Sequence, residues 1–167
     1  MKRFPILLAA AFVVAGCAAQ ADTQPVAAKK AEDVPACKAT PKELVVKDLQ
    51  VGEGRELIPR SSVLVQYTGW LYDGCKADLK GAQFDTSRDK PAPFGFMVGA
   101  GRVIKGWDEG VVGMKEKGAK RLLIIPPDKA YGEKGVGERI PPNSALVFEI
   151  DTVQIAYYPP AAGPATK

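Results

Sequence analysis

The chain has 167 residues, a formal charge of +4 and no histidine. That length fits one domain, and a charge so small argues against a nucleic-acid partner. Without histidine, Ser-His-Asp and Cys-His catalysis and every histidine-ligated metal site are excluded.

Met1-Lys2-Arg3 is a basic start, Ile6 to Val14 is apolar, and Val14-Ala15-Gly16-Cys17 closes the stretch. The pattern predicts a secretory signal over residues 1–16, too short to span a membrane. Its last four residues resemble the bacterial lipoprotein cleavage box, which implies that Cys17 becomes the acylated first residue. A plain signal peptide followed by a chance cysteine is the alternative. Ala18, where Asp would redirect the protein, resembles the outer-membrane sorting of Gram-negative lipoproteins. The expected location is therefore the cell envelope, facing the periplasm, with the lipid as the only membrane contact. Removing residues 1–16 leaves a charge of +2.

Residues 17–40 carry Ala, Lys, Gln, Thr and Pro with no apolar period, which predicts a flexible tether. With Cys17 assigned to lipid, Cys37 and Cys75 remain as an even pair in an oxidising compartment. A disulfide between them is expected, with two free thiols as the alternative.

The folded domain is expected over residues 41–158, followed by a Pro-, Ala- and Gly-rich tail over 159–167. Leu44 to Val51 reads as a first strand ending at Gly52-Glu53-Gly54. Ser62 to Tyr72 is long and β-branched, a central strand, and Asp73 to Gln83 reads as a polar loop. Phe94, Phe96 and Val98 alternate as a strand that Gly99 and Gly101 break. Val103, Ile104, Trp107, Val111 and Val112 then recur at helical spacing, predicting a short helix that must pack on a sheet. Ala119 to Pro126 and Ala145 to Ile155 complete the set. About five strands and one short helix leave too few crossovers for a parallel sheet, so the class is α+β with an antiparallel sheet.

Several motifs fail on inspection. Gly99-Ala100-Gly101 hints at a dinucleotide loop, but Ile104 stands where the third glycine is required. Gly113 to Gly118 has phosphate-loop spacing, but Ala119 replaces the lysine, and Lys115-Glu116-Lys117 reads as a solvated turn. Asp108 and Glu109 are adjacent on a helix and point apart.

What remains is an aromatic and aliphatic set with few polar groups. Val65-Gln-Tyr-Thr-Gly69, Phe84-Asp-Thr-Ser-Arg-Asp89, Phe94-Gly-Phe96 and Val103-Ile-Lys-Gly-Trp-Asp-Glu-Gly110 carry it. Pro126-Pro-Asp-Lys-Ala-Tyr-Gly132, Ile140-Pro-Pro142 and Leu146-Val-Phe148 follow in order. Together these segments resemble the FKBP-type peptidyl-prolyl cis-trans isomerases over nearly all of residues 43–155. The resemblance implies an antiparallel sheet curled around the short helix, with a shallow apolar pocket between them. It implies Trp107 as the pocket floor and Tyr67, Phe84, Phe94, Val103, Ile104 and Phe148 as walls. Asp85 becomes a polar group at the edge, Tyr131 a hydroxyl donor and the Ile104 amide a backbone donor, with Ile140 contributing to substrate binding.

The implied activity is rotation of X-Pro bonds in exported, proline-containing polypeptides, with macrolide inhibitors as expected ligands and no cofactor or metal. A peptide-binding or holdase chaperone module using the same pocket is the alternative. Some lipoprotein relatives dimerise through a long helical N-terminal region, and residues 18–40 offer no such helix, so a monomer is expected. Two departures stand out from the commoner pattern. Arg102 replaces an acid or amide and Arg139 an apolar residue, which places two expected cations at the pocket rim.

Overall fold

A computed structural model describes residues 37–157. Its strands are β1 (Val45–Gln50), β2 (Glu53–Glu56), β3 (Ser62–Tyr72), β4 (Lys80–Thr86) and β5 (Phe94–Met97). One helix, α1 (Lys105–Gly110), precedes β6 (Lys115–Lys117), β7 (Lys120–Ile125) and β8 (Leu146–Tyr157). Single turns of 3₁₀ helix at Pro127–Lys129 and Gly132–Lys134 lie between the last two strands.

The main sheet is antiparallel and has the order β1-β7-β8-β3-β4. Strand β3 is long enough to serve two partners on one side. Its first half pairs with β5, from Ser62↔Met97 to Val65↔Phe94, and its second half with β4, from Thr68↔Thr86 to Tyr72↔Lys80. Along its other side β8 runs from Ser62↔Tyr157 to Leu71↔Leu146. Strand alternation then does the sorting: Val63, Val65 and Tyr67 point into the core with Phe148, Ile150 and Ile155 of β8. Outward-facing Glu149 and Asp151 are held by cations, Lys80 at 2.9 Å from Glu149 and Lys120 at 3.4 and 3.7 Å from the two carboxylates.

The helix sits on β7 because it presents glycine to it. A Cβ on Gly106 would lie 2.4 Å from the Ile125 side chain, and one on Gly110 2.7 Å from Leu123. Those two absences let the backbone approach the sheet and turn Trp107 into the core. The end of the helix is held by Arg121, which is almost fully buried. Its Nη1 donates to the Gly110 and Val112 carbonyls, both at 2.8 Å, while Nε donates to Asp48 Oδ1 at 2.5 Å. One cation thus fastens α1 to β1 and β7.

All of the expected strands form, and the α+β antiparallel class holds. Four details differ. The polar loop expected over 73–83 gives way to β4 from Lys80, since pairing with β3 requires backbone partners and not apolar side chains. The expected solvated turn at Lys115–Lys117 is β6, paired with a second unexpected strand, β2, where Lys115 bonds Glu56 at 2.8 Å. Both strands are short and charged, so neither shows an apolar period. The helix is also shorter than its apolar spacing: Val103 and Ile104 precede it, and Val112 lies beyond it in solvent.

Cys37 and Cys75 are joined as a disulfide. The Lys38 amide donates to the Gly74 carbonyl at 2.9 Å, and the Tyr72 hydroxyl to the Ala39 carbonyl at 3.1 Å. Gly74 is needed there, since a Cβ would fall 1.9 Å from the Lys38 carbonyl oxygen. Among the described residues no helix is long and apolar enough to cross a membrane. Residues 1–36, with Cys17 and most of the expected tether, and residues 158–167 lie outside those described.

Candidate active site

Trp107 is the centre of an aromatic cluster built from four strands and the helix. Its indole meets Tyr67 edge-on at 5.0 Å between centroids, Phe148 at 5.2 Å and Phe94 at 6.0 Å. Phe84 meets Phe148 at 5.5 Å, again edge-on, and Phe96 tilts against Trp107 at 5.5 Å. Edge-to-face packing matches the positive ring edge to the negative face and fixes each ring's orientation. Gly69 makes room for two of them, because a Cβ there would lie 2.7 Å from Phe148 and 2.8 Å from Phe84. The Trp107 indole N–H is buried and has no hydrogen-bond partner among the described residues.

Above this cluster opens a cavity of about 180 Å³. Trp107, Tyr67, Phe94 and Phe148 line it together with Phe84, Val103 and Ile104. Its polar residues are Asp85, Tyr131 and Arg102. All but one of the residues that the sequence assigned to the site meet here. The exception is Ile140, which is buried in the core and exchanges backbone hydrogen bonds with Val136 at 2.8 and 3.2 Å. It anchors the 132–143 loop and does not line the cavity. Arg139 is exposed and also absent from the cavity, so Arg102 is the one rim cation of the expected two.

The mouth carries a hydroxyl–carboxylate pair. The Tyr67 hydroxyl donates to Asp85 Oδ2, while Asp85 Oδ1 accepts from the Thr86 amide at 2.9 Å and the Lys90 ammonium at 3.3 Å. Burial works to raise the Asp85 carboxyl, but the Tyr67 hydroxyl, Lys90 and the Thr86 amide outweigh it and hold the group below the usual carboxylate range. Burial, then the Asp85 carboxylate, push the Tyr67 phenol upward. Burial and the same charge raise Tyr131. At neutral pH Asp85 is therefore an anion and both phenols are neutral: the site can donate and accept hydrogen bonds, but none of the three exchanges a proton readily.

Neighbours that sequence reasoning left unassigned hold this geometry. Buried Ser87 accepts from the Tyr67 amide at 2.8 Å and donates to the Tyr67 carbonyl through its own amide at 3.0 Å. The Thr86 hydroxyl donates to the same carbonyl at 2.9 Å. Both residues lie inside the Phe84–Asp89 segment, so the signal was present without its reason. Asp108 accepts from the Gly99 and Gly101 amides at 2.8 and 3.0 Å, fixing the loop that delivers Arg102, Val103 and Ile104. Glu109 bonds Lys129, tying α1 to the turn before Tyr131. The Ile104 carbonyl starts the helix by accepting from Trp107 at 2.9 Å, and its own N–H donates to no group among the described residues. No cluster of three or more metal-ligating side chains occurs among the described residues.

An antiparallel sheet packed on one short helix, with an aromatic cavity between them, defines an FKBP-like fold. The chain belongs to the FKBP-type peptidyl-prolyl cis-trans isomerase family, whose model matches residues 53–153. It is similar to an FK506-binding protein of Neisseria meningitidis serogroup A, 45% identical over 67% of this chain and 95% of that one. FK506-binding protein 1A of Emericella nidulans is 44% identical, over 66% of this chain and 95% of its own length. The crystal structure of AtFKBP13 superposes with a TM-score of 0.59 at 35% identity, covering 70% of this chain and 96% of that one. The activity of the family, rotation of the X-Pro peptide bond, is the activity of this protein.

Proposed function

We propose that the aromatic cavity over Trp107 receives the proline ring and catalyses rotation without covalent chemistry. The observation that carries this reading is the Tyr67–Asp85 pair at the mouth of a cavity walled mainly by aromatic and aliphatic side chains. Rotation about an X-Pro bond needs no nucleophile, only a lowered barrier of roughly 18–20 kcal/mol. Amide resonance makes that barrier, and it separates charge that water stabilises. Aromatic walls that strip water from the amide weaken the resonance, and the twisted form fits the cavity better than either planar isomer. A thousandfold acceleration requires about 4 kcal/mol. In this reading Tyr131 and the Ile104 amide donate to substrate carbonyls, and Asp85 orients Tyr67.

The oxidised Cys37–Cys75 pair supports an exported protein. We read residues 1–16 as its signal, Cys17 as a lipid anchor and residues 17–40 as the tether of a monomeric envelope lipoprotein. Its substrates in this reading are proline-containing exported chains. The FK506-binding names of its relatives support macrolide binding in the same cavity. The test is isomerisation of a short X-Pro peptide by the purified protein, with and without rapamycin. Acceleration that the macrolide abolishes is expected; a folded protein that leaves the uncatalysed rate unchanged would refute the reading.

A further inference from the structure

We propose that a second groove, alongside β5, binds the stretch of polypeptide that flanks the substrate proline, and that Arg102 selects a chain carrying an acidic residue there. The inference rests on the reading of the aromatic cavity as the proline site. The groove, of about 620 Å³, adjoins that cavity, since Phe94, Arg102 and Val103 line both. From this junction it runs along β5 past Leu64 and Met97. A proline seated over Trp107 would therefore direct one flank of its chain into the groove.

The groove offers what an extended chain requires. Strand β5 pairs with β3 alone, so among the described residues its outer edge has no strand partner. An open edge presents backbone donors and acceptors to an added strand, and alternate side chains give specificity. Four residues of β5 span about 13 Å, at about 3.3 Å per residue, and match three or four residues of a bound chain. Apolar contact is available as well: Phe94 is 39% and Met97 40% exposed, high for side chains of that size.

The charge argument comes from Arg102. It is exposed at the junction and forms no ion pair among the described residues. Two acids, one of the same cavity and one that holds the loop leading to Arg102, are already committed. Asp85 is held by Tyr67, Lys90 and the Thr86 amide, and Asp108 by two loop amides. A carboxylate arriving on the bound chain is the complement this guanidinium lacks.

The experiment compares kcat/KM of the full chain on a Leu-Pro tetrapeptide with two sets of decapeptides centred on Leu-Pro, bearing either Glu or Lys on one flank, N- or C-terminal to the proline. On at least one flank the Glu peptide should exceed the Lys peptide by about fivefold at low salt, the ratio expected of one partly exposed ion pair, and the ratio should shrink at high salt. Met97→Asp, in the groove and outside the aromatic cavity, should bring the ratio to about one through repulsion while leaving tetrapeptide turnover unchanged. Equal kcat/KM for Glu and Lys peptides on both flanks, with the tetrapeptide turned over, overturns the groove and leaves the isomerase reading standing. A Glu preference that Met97→Asp does not alter also overturns it, because the charge is then read at the cavity rim. Failure to turn over the tetrapeptide refutes the proline-site reading itself, and the groove falls with it.

Discussion

The Tyr67 hydroxyl donates to Asp85 Oδ2 across the mouth of the aromatic cavity, and each side chain fixes the other's charge state. The carboxylate is an acceptor that cannot donate, and the phenol is a donor that resists ionisation. Together they put one oriented dipole and one negative charge beside a largely aromatic cavity. Asp85→Leu removes the charge and leaves the phenol free to turn. A hydrogen bond to a charged group contributes about 1.5–3 kcal/mol, so kcat/KM should fall about tenfold to a hundredfold with the fold retained. Tyr67→Phe keeps the ring against Trp107 and should lose less. Unchanged turnover in Asp85→Leu, checked by peptide isomerisation with circular dichroism as the folding control, would remove the pair from the mechanism.

A rotation that moves no proton should be insensitive to pH wherever the site keeps its charges. Asp85 is depressed in the folded state, so its contribution is fully present above the ordinary Asp value of about 3.9 and is lost as pH falls below it. Tyr67 and Tyr131 are raised, so theirs is present below the ordinary value of about 10 and is lost as pH climbs past it. With no histidine in the chain, kcat/KM should stay flat from about pH 5 to 9. A bell-shaped profile with a limb between those limits would show a proton in flight and contradict a purely rotational mechanism.

Arg121 carries the helix that carries Trp107. Replacing it with Met leaves the Gly110 and Val112 carbonyls without their donor and strands Asp48, whose carboxylate is itself half exposed and can return to water. Breaking a largely buried charge-assisted network costs about 2–4 kcal/mol, visible as a lower urea midpoint. Asp48→Asn should cost less, because the guanidinium keeps its two carbonyls. Equal stability of Arg121→Met and the parent would show that α1 is held by its glycine packing on β7 alone.

Why some of this was legible in sequence and some was not follows from the same contacts. Val63, Val65, Tyr67 and Phe148 announce themselves by period, and burial follows period on a curled sheet. Strands β2 and β6 are charged on every residue but Gly54, so nothing apolar betrays them; their existence depends on pairing with each other. Arg121 looks like any strand cation, since the carbonyls it serves are brought to it only by the fold. The aromatic cavity was readable because its walls are chemically distinctive, whereas Ile140 was misplaced because an apolar residue beside a double proline suits core and cavity equally. Arg102 and Arg139 look alike in sequence, and only the loop held by Asp108 delivers one of them to the rim.

The Cys37–Cys75 bridge closes a sequence separation of 38 residues. Loop-closure entropy lost from the unfolded chain then stabilises the fold by up to about 4 kcal/mol, a large share of an ordinary domain's stability. The segment it holds is also tied by the Lys38–Gly74 and Tyr72–Ala39 hydrogen bonds, which reduction leaves intact, so the observed loss should be somewhat smaller. Neither cysteine lines the cavity. Dithiothreitol, or the double substitution Cys37→Ala and Cys75→Ala, should therefore lower the thermal midpoint by several degrees while leaving kcat/KM at 25 °C unchanged. A thermal midpoint indifferent to reduction would mean that the hydrogen bonds alone dock this segment. A loss of turnover without unfolding would mean that strain at the end of β3 reaches Tyr67, five residues away along the same strand.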